Sequence, residues 1–198
     1  MTAVSQLLRA LIPASIVLLV FLSAWQLFVV VSEIESYLLP SPMEVVQAGF
    51  RMRSDLLMAA WLTGQASLLG LGLSLAVGIA FSVLFAEFSF LRQGMMTYAI
   101  FLQTVPIIAI APLVINWFGP GFYSVVLIAF VISLFPIITN TTQGMLAVSP
   151  ELLDLFRLYR ASRWQMLWRL RFPHAIPYLL TGMKVSSGLA VIGAIVGE

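Results

Sequence analysis

The 198-residue sequence contains no cysteine and few charged residues. Without cysteine, the chain can form no disulfide, thiolate metal site or cysteine nucleophile. Charged residues make up 9% of the chain and hydrophobic residues 61%, whereas a soluble domain has about 25% charged and 45–50% apolar residues. This composition excludes a soluble globular enzyme and a disordered chain. The net charge of +2 is too small to indicate that the protein binds nucleic acid.

Long segments without charge predict membrane-spanning helices. Charged residues are absent from positions 10–32, 56–86 and 93–150, and a helix needs about 20 apolar residues to cross a membrane. The first two segments each predict one span, and the third predicts two because a Phe-Gly-Pro-Gly turn signal lies in its middle. A fifth apolar run, 175–197, carries Lys184 as its one charged residue. We therefore expect an all-α polytopic helix bundle with five spans.

The arginines predict the orientation of this bundle. If the N-terminus is cytoplasmic, seven arginines fall on cytoplasmic segments and two on external segments. The cytoplasmic ones are Arg9, Arg92, Arg157, Arg160, Arg163, Arg169 and Arg171, and the external ones are Arg51 and Arg53. Because positive residues accumulate in cytoplasmic loops, this distribution favours a cytoplasmic N-terminus. With five spans the chain would end outside, and we expect a sixth spanning helix to be missing after Glu198.

Two regions are predicted along the chain. Residues 1–60 form the first span and an external linker, and residues 61–198 form the core of the bundle. In the linker, Ser41 can cap a helix that has Pro42 at its first position and Glu44 near its positive end. The apolar stripe of this helix predicts that it lies on the membrane surface.

Small residues recur every four positions in the second and fifth predicted spans. They are Ala66, Gly70, Ser74, Gly78, Ser82 and Ala86 in the second span, and Gly182, Ser186, Ala190 and Ala194 in the fifth. Because such residues let helix backbones approach closely, both spans are predicted to lie inside the bundle.

Prolines and polar residues mark the third and fourth spans. A proline removes a backbone hydrogen bond, which a membrane helix tolerates where neighbours or a water-lined cavity satisfy the freed carbonyl. Polar side chains in such helices either join helices or line a pathway, and both interpretations stay open. The pathway candidates are Gln103, Thr104, Pro106, Asn140 and Lys184. For Lys184, the alternative is a side chain that snorkels toward the cytoplasmic interface.

The segment 149–173 is predicted to form two short cytoplasmic helices. A Ser-Pro-Glu sequence at 149–151 is typical of a helix start, with Ser149 as its cap. Ser162 is predicted to cap the second helix and Pro173 to stop it.

Aromatic residues and arginines make this segment a candidate protein interface. Asp154 and Arg157 are spaced for an ion pair within the first helix. Phe156, Tyr159 and Trp164 accompany the charges, and tryptophan and arginine are typical anchors of protein interfaces.

Three parts of this region carry a family resemblance. The sequence from Asp154 to Arg160, the Ala-Ser-Arg-Trp-Gln run at 161–165 and the proline-containing entry at 172–178 together resemble the EAA loop of ABC-transporter permeases, membrane subunits served by a soluble binding protein. Leu-Pro-Ser-Pro at 39–42 and Leu-Gln-Thr-Val-Pro at 102–106 are similar to one branch, the importers of nitrate, taurine, alkanesulfonates and vitamin-precursor heterocycles. The resemblance covers residues 36–198.

The resemblance implies an ABC type I importer permease in a bacterial cytoplasmic membrane. It implies that the chain forms the substrate pathway and couples to a separate ATPase through residues 149–173. The implied coupling residues are Glu151, Asp154, Phe156, Tyr159, Arg160, Ala161, Ser162 and Trp164. The implied partners are a pair of ATPase subunits, an extracytoplasmic solute-binding protein and a second permease copy, and the implied substrate is a small solute such as those of the branch.

The chain departs from the family motif at three positions. Arg160 stands where the motif has glycine, and Leu155 and Phe156 stand where it has two alanines. In the family the glycine permits the turn between two coupling helices, so we expect arginine to require a different turn.

The sequence also bears on other classes of function. A membrane-embedded enzyme would need ionisable groups or an activated serine within the spans, but the first four spans hold no charge and no G-x-S-x-G motif occurs. No G-x-x-x-x-G-K-[ST] motif occurs either, so ATP would be bound by a partner. We expect no enzyme activity and no resident cofactor or metal. A secondary transporter or channel subunit without an ATPase is the alternative function.

Overall fold

The computed structural model describes residues 3–104 and 106–198, without the side chains of residues 3–11, 95, 96, 99, 102, 103, 107 and 108. Within these residues the chain forms helices and no β-strand. The helices in chain order are α1 (Ala3–Val31), α2 (Pro42–Arg51), α3 (Arg53–Glu87), α4 (Ser89–Gln103), α5 (Ile107–Phe118), α6 (Phe122–Leu146), α7 (Pro150–Leu158), α8 (Arg163–Met166) and α9 (Phe172–Gly197), with a π-helical turn (Leu167–Arg171) between α8 and α9. The chain divides into two compact units, Met1–Ala59 and Ala60–Glu198.

Four of the described helical segments are long and apolar enough to cross a membrane: Ile12–Val31, Arg53–Glu87, Phe122–Leu146 and Arg163–Gly197. They confirm the predicted all-α membrane bundle. The third predicted span is divided into α4 and α5, which have 15 and 12 residues. At about 1.5 Å per residue, each is shorter than the bilayer core of about 30 Å.

The break between α4 and α5 lies at a proline. Pro106 is the N-cap of α5, with an extended backbone at φ −60° and ψ 122°. Proline has no N–H donor and disfavours the helical conformation of the preceding residue. These two effects account for the end of α4 before Pro106.

In the first unit, the predicted helix start at Ser41 is confirmed. The Glu44 N–H donates to Ser41 Oγ at 3.4 Å, and the Ser41 N–H donates to Glu44 Oε2 at 2.7 Å. This reciprocal capping box satisfies two donors at the start of α2. The Met43 N–H donates to Gln26 Oε1 at 3.2 Å, so a side chain of α1 holds the first turn of α2.

In the second unit, α6 packs between α3 and α9 through the predicted small residues. All ten of these residues are buried: Ala66, Gly70, Ser74, Gly78, Ser82, Ala86, Gly182, Ser186, Ala190 and Ala194. A Cβ atom added to Gly70 would lie 2.7 Å from the Ala129 Cβ, and one added to Gly193 would lie 2.9 Å from the Ala129 Cα. The helix backbones are therefore as close as glycine allows, as the four-residue spacing predicts.

Buried serines join the same three helices. Ser74 Oγ on α3 lies 2.6 Å from Ser133 Oγ on α6 and donates to the Phe130 carbonyl at 2.8 Å. Ser186 Oγ on α9 donates to the Ser133 carbonyl at 2.7 Å. Hydroxyls that bond across helices satisfy polar groups that would otherwise be unpaired in an apolar interior, so this serine cluster links the core of the bundle.

The predicted stop at Pro173 is wrong. Helix α8, the π-turn and α9 form one continuous helical segment, Arg163–Gly197. In the π-turn the Phe172 N–H bonds to the Leu167 carbonyl, five residues back. Because a π-turn holds an extra residue, it displaces the carbonyl that would otherwise clash with the proline ring. The helix therefore continues through Pro173.

Candidate functional site

The first helix of segment 149–173 begins where the sequence predicts. Ser149 is the N-cap of α7 and Pro150 its first residue, but the Ser149 side chain makes no capping hydrogen bond to the helix. The predicted side-chain cap is therefore wrong. The Glu151 carboxylate accepts a hydrogen bond from its own backbone N–H and a second one from the Ser149 hydroxyl. These two bonds, the first more than the second, lower the pKa of Glu151. The start of α7 thus presents an exposed carboxylate.

The turn after α7 is a left-handed one with arginine in the glycine position. Arg160 has φ +52°. The Ala161 N–H donates to the Phe156 carbonyl at 3.0 Å, and the Arg160 N–H donates to the Arg157 carbonyl at 2.9 Å. These two bonds define a Schellman motif, in which glycine is usual at the left-handed position. The expectation that arginine requires a different turn is therefore wrong: Arg160 adopts the conformation that glycine would have.

The second helix of the segment has the predicted cap. The Gln165 N–H donates to Ser162 Oγ at 3.2 Å, and the Ser162 N–H donates to Gln165 Oε1 at 2.8 Å. This capping box fixes the direction in which α8 leaves the left-handed turn. Ala161, between the turn and the cap, is half-buried.

Several large side chains of α7 and α8 are exposed. Tyr159 is 78% exposed and Trp164 67% exposed, whereas Phe156 is half-buried. The predicted Asp154–Arg157 ion pair forms at 3.0 Å on the exposed surface of α7. Exposed aromatic groups beside arginines have the composition of a protein interface. The eight predicted coupling residues all lie between Glu151 and Trp164, on α7, α8 and the turn that joins them.

Sequence reasoning missed the contact that ties this segment to α3. Arg171 Nη1 donates to the Ala86 carbonyl at 3.0 Å and to Glu87 Oε1 at 3.1 Å. Beside this contact, Leu167 packs in a buried cluster with Ala86, Met145 and Ala175. Arg171 and Glu87 are 84 positions apart in the chain, so no local spacing could have paired them.

A cleft lies beside this contact. It has a volume of about 240 Å³ and lies between the last turn of α3 and the start of α8. Its lining is mostly apolar: Val83, Leu84, Glu87, Phe88, Arg163, Trp164 and Leu167.

The predicted pathway residues fall into two groups. Thr104 and Pro106 are exposed at the break between α4 and α5, where Thr104 Oγ1 donates to the Phe101 carbonyl at 2.7 Å. Gln103 is the last residue of α4, and its side chain lies outside the described residues. Asn140 is half-buried on α6, and Lys184 is exposed on α9. None of the described hydrogen bonds joins one of these residues to another.

The α6 and α9 residues of this set differ in their surroundings. Asn140 Nδ2 donates to the Pro136 carbonyl at 2.8 Å. Its Cβ lies 3.2 Å from where a Cβ on Gly182 would be, so Asn140 lies at the α6–α9 contact. Lys184 has no ion pair among the described residues, and its carbonyl accepts a bond from the exposed Ser187 at 2.9 Å.

Comparisons with known proteins agree with this architecture. Residues 70–198 match the model of the family described as the binding-protein-dependent transport system inner membrane component. The chain is 33% identical to a formylaminopyrimidine transport permease protein of Halalkalibacterium halodurans, over 83% of the chain and 66% of that protein. It is 33% identical to a riboflavin transport system permease protein of Chloroflexus aurantiacus, over 92% of the chain and 69% of that protein.

A third relative extends the range of solutes. It is a putative aliphatic sulfonates transport permease protein of Bacillus subtilis, 29% identical over 90% of the chain and 66% of that protein. The chain therefore spans about two thirds of the length of these curated relatives.

Proposed function

This chain belongs to the family of binding-protein-dependent transport system inner membrane components, and we propose that it is the membrane-spanning permease subunit of an ATP-driven importer. The observation that carries this proposal is the exposed pair of helices α7 and α8 beside a membrane bundle whose sequence has no P-loop. An ATP-driven permease without its own ATP site receives energy from a partner. Segment 149–173 offers a surface for that partner.

We propose that a pair of ATPase subunits binds α7, α8 and the turn between them. Tyr159 and Trp164 are the anchors, because both are large, exposed and held on capped or hydrogen-bonded backbone. Glu151, Asp154, Phe156, Arg160, Ala161 and Ser162 complete the surface. Its orientation toward the cytoplasm follows from the arginine distribution, which also favours a cytoplasmic N-terminus in a bacterial inner membrane.

The substrate pathway is proposed to lie between two copies of this chain. Within the described residues, α3, α6 and α9 pack closely through buried small residues, which favours a pathway outside this core. Gln103, Thr104, Pro106, Asn140 and Lys184 are the proposed pathway residues. Lys184 supports this proposal because a charged side chain within a spanning helix is expected to face a pathway or a polar partner.

The proposed substrate is a small organic or inorganic solute delivered by an extracytoplasmic solute-binding protein. The relatives carry the names of formylaminopyrimidine, riboflavin, aliphatic sulfonate and nitrate transport proteins. These solutes differ in charge and size, so we propose a substrate from this group without choosing among them.

Uptake into proteoliposomes tests the proposal. The permease is reconstituted with a candidate ATPase and a candidate solute-binding protein, and uptake of radiolabelled taurine, nitrate, riboflavin and formylaminopyrimidine is measured. We expect uptake of one of these solutes only with ATP and both partners present. Uptake by the permease alone, driven by an ion gradient, would instead identify a secondary transporter or channel.

A further inference from the structure

A partly buried ion pair connects segment 149–173 to α3. Arg171 and Glu87 have side chains that are each 20% exposed, and their charged atoms lie 3.1 Å apart. The same Arg171 nitrogen binds the Ala86 carbonyl at 3.0 Å, which places a positive charge at the negative end of the α3 dipole. Solvent weakens the Arg171–Glu87 ion pair less than it weakens the exposed Asp154–Arg157 pair. Arg171 is thus a firm attachment to the end of α3.

The attachment lies at a point where the helix is irregular. Arg171 is the last residue of the π-turn, and such turns occur frequently at functional sites. A helix that bends or shifts at this turn would separate the motion of α8 from that of α9. Arg171 at the α9 end of the turn binds Glu87, and Leu167 at the α8 end packs with Ala86, so the two contacts with α3 together oppose such a separation.

The π-turn contacts the end of α3 at both of its ends. Leu167, its first residue, packs in the buried cluster that contains Ala86, and Arg171, its last residue, binds Glu87. The cleft of about 240 Å³ lies beside these contacts, and Glu87 and Leu167 are part of its lining. Among the described residues, these two contacts hold the π-turn to the end of α3.

We propose that Arg171 is a positioning residue that makes α3 and the helix pair α7–α8 move as one body. Through its bonds to Glu87 and Ala86, a displacement of α7 and α8 by the ATPase is passed to α3 instead of being absorbed at the π-turn. The inference rests on the proposed role of segment 149–173. Neither Arg171 nor Glu87 belongs to the proposed ATPase-binding surface, so the pair acts on transmission and leaves docking unchanged.

A distance measurement on the permease in lipid nanodiscs tests the attachment itself. Because the chain has no cysteine, nitroxide labels can be placed with Leu73→Cys on α3 and Arg163→Cys on α8, which are both exposed positions. With the native pair we expect one narrow distance distribution. In the Glu87→Gln variant we expect the distribution to broaden at least about twofold, because an element that loses a tethering contact opens locally at lower free energy.

Two further variants separate the ion pair from a general loss of packing. The charge-reversed double variant Glu87→Arg with Arg171→Glu restores the ion pair but not the bond to the Ala86 carbonyl, so it should recover part of the narrow distribution. Arg171→Lys keeps the charge but loses the fixed geometry of the guanidinium, so it should give an intermediate width. An unchanged distribution in Glu87→Gln, or no recovery in the double variant, overturns the inference.

Coupling is then measured in the complex with the ATPase. We expect Glu87→Gln to retain the ATPase in a pull-down as well as the native chain does, while transport per ATP hydrolysed falls at least about fivefold, the lower end of coupling between two sites. Loss of the ATPase from the pull-down would show that the pair serves docking and would overturn the inference. If the native chain itself binds no ATPase, the proposed function fails, and the nanodisc measurement still decides whether the attachment exists.

Discussion

At the scale of single residues, Arg160 shows how a chain can keep a turn while losing its usual residue. Its left-handed conformation, at φ +52°, costs a non-glycine residue about 1–2 kcal/mol. The two Schellman hydrogen bonds that enclose it, to the carbonyls of Phe156 and Arg157, offset that cost. A motif comparison detects the missing glycine, but it cannot show that the surrounding hydrogen bonds hold the backbone unchanged.

Arg160→Gly should stabilise this turn, and Arg157→Gly should destabilise α7. Both changes remove one exposed arginine and add one glycine, but Arg157 lies inside the helix, where glycine costs about 1 kcal/mol. Hydrogen exchange of the Ala161 amide measures the difference. We expect exchange to slow in Arg160→Gly and to become about fivefold faster in Arg157→Gly, the factor for about 1 kcal/mol. Faster exchange in both variants would contradict the proposed strain at Arg160.

Tyr159→Ala should weaken binding of the ATPase without unfolding the permease. Tyr159 is 78% exposed, so its truncation leaves no cavity. Loss of an interface anchor costs at least about 2 kcal/mol, or roughly 25-fold in affinity. Pull-down of the ATPase and thermal unfolding of the detergent-purified permease measure the two effects. The exposed Leu158, which is 79% exposed on the same turn, provides the control variant Leu158→Ala. Unchanged ATPase retention by Tyr159→Ala would contradict the assignment of the coupling surface.

At the scale of helices, local signals predicted most helix boundaries, whereas the π-turn and the contact between distant helices were not predicted. Ser41 and Ser162 cap their helices as predicted, because a capping box joins residues only three positions apart. Pro173 does not stop its helix, since the preceding π-turn accommodates it. The contact from Arg171 to Glu87 could not be predicted from spacing, because it depends on α3 and α9 packing beside α6.

The two serine caps of segment 149–173 should differ in their contribution. Ser162→Ala removes a side chain that accepts a bond from the Gln165 amide, and loss of such a cap costs about 1 kcal/mol. Ser149→Ala removes a side chain without a capping bond, so it serves as the matched control. We expect the Gln165 amide to exchange about fivefold faster in Ser162→Ala. Equal exchange in both variants would show that the α8 cap contributes nothing in solution.

Close packing of α3 on α6 predicts a contrast between two neighbouring glycines. A methyl group at Gly70 would lie 2.9 Å from the Phe130 backbone nitrogen, whereas at Gly72 it would meet nothing within 4 Å. Overpacking of this kind costs about 1–3 kcal/mol, so Gly70→Ala should lower the unfolding temperature in detergent. Gly72→Ala should leave it unchanged or raise it, because alanine favours helix more than glycine does by about 1 kcal/mol. Similar temperatures for the two variants would contradict the close α3–α6 contact.

At the scale of the whole molecule, the distribution of arginines and the packing of the spans both distinguish the two ends of the bundle in the second unit. In the second unit, α3 and α6 run parallel, since Gly70 approaches Ala129 and Gly78 approaches Ile137, and α9 runs antiparallel to both. The arginine-rich segment 149–173 therefore lies at the end of the bundle where α3 and α6 finish. The sequence predicts this end to be cytoplasmic from its arginines alone, and the parallel packing requires that the turn before α6 lie at the opposite end.

Single cysteines introduced into the cysteine-free chain test this orientation directly. Ser54→Cys lies at the start of α3 and Arg163→Cys at the start of α8, and both positions are exposed. In intact cells, a membrane-impermeant maleimide should label Ser54→Cys and spare Arg163→Cys, because the arginine excess predicts that residue 163 faces the cytoplasm. After permeabilisation both should be labelled, which controls for reactivity. Labelling of Arg163→Cys alone in intact cells would show that the orientation is the opposite of the predicted one. In that orientation α7 and α8 lie outside the cell, where no cytoplasmic ATPase could bind them.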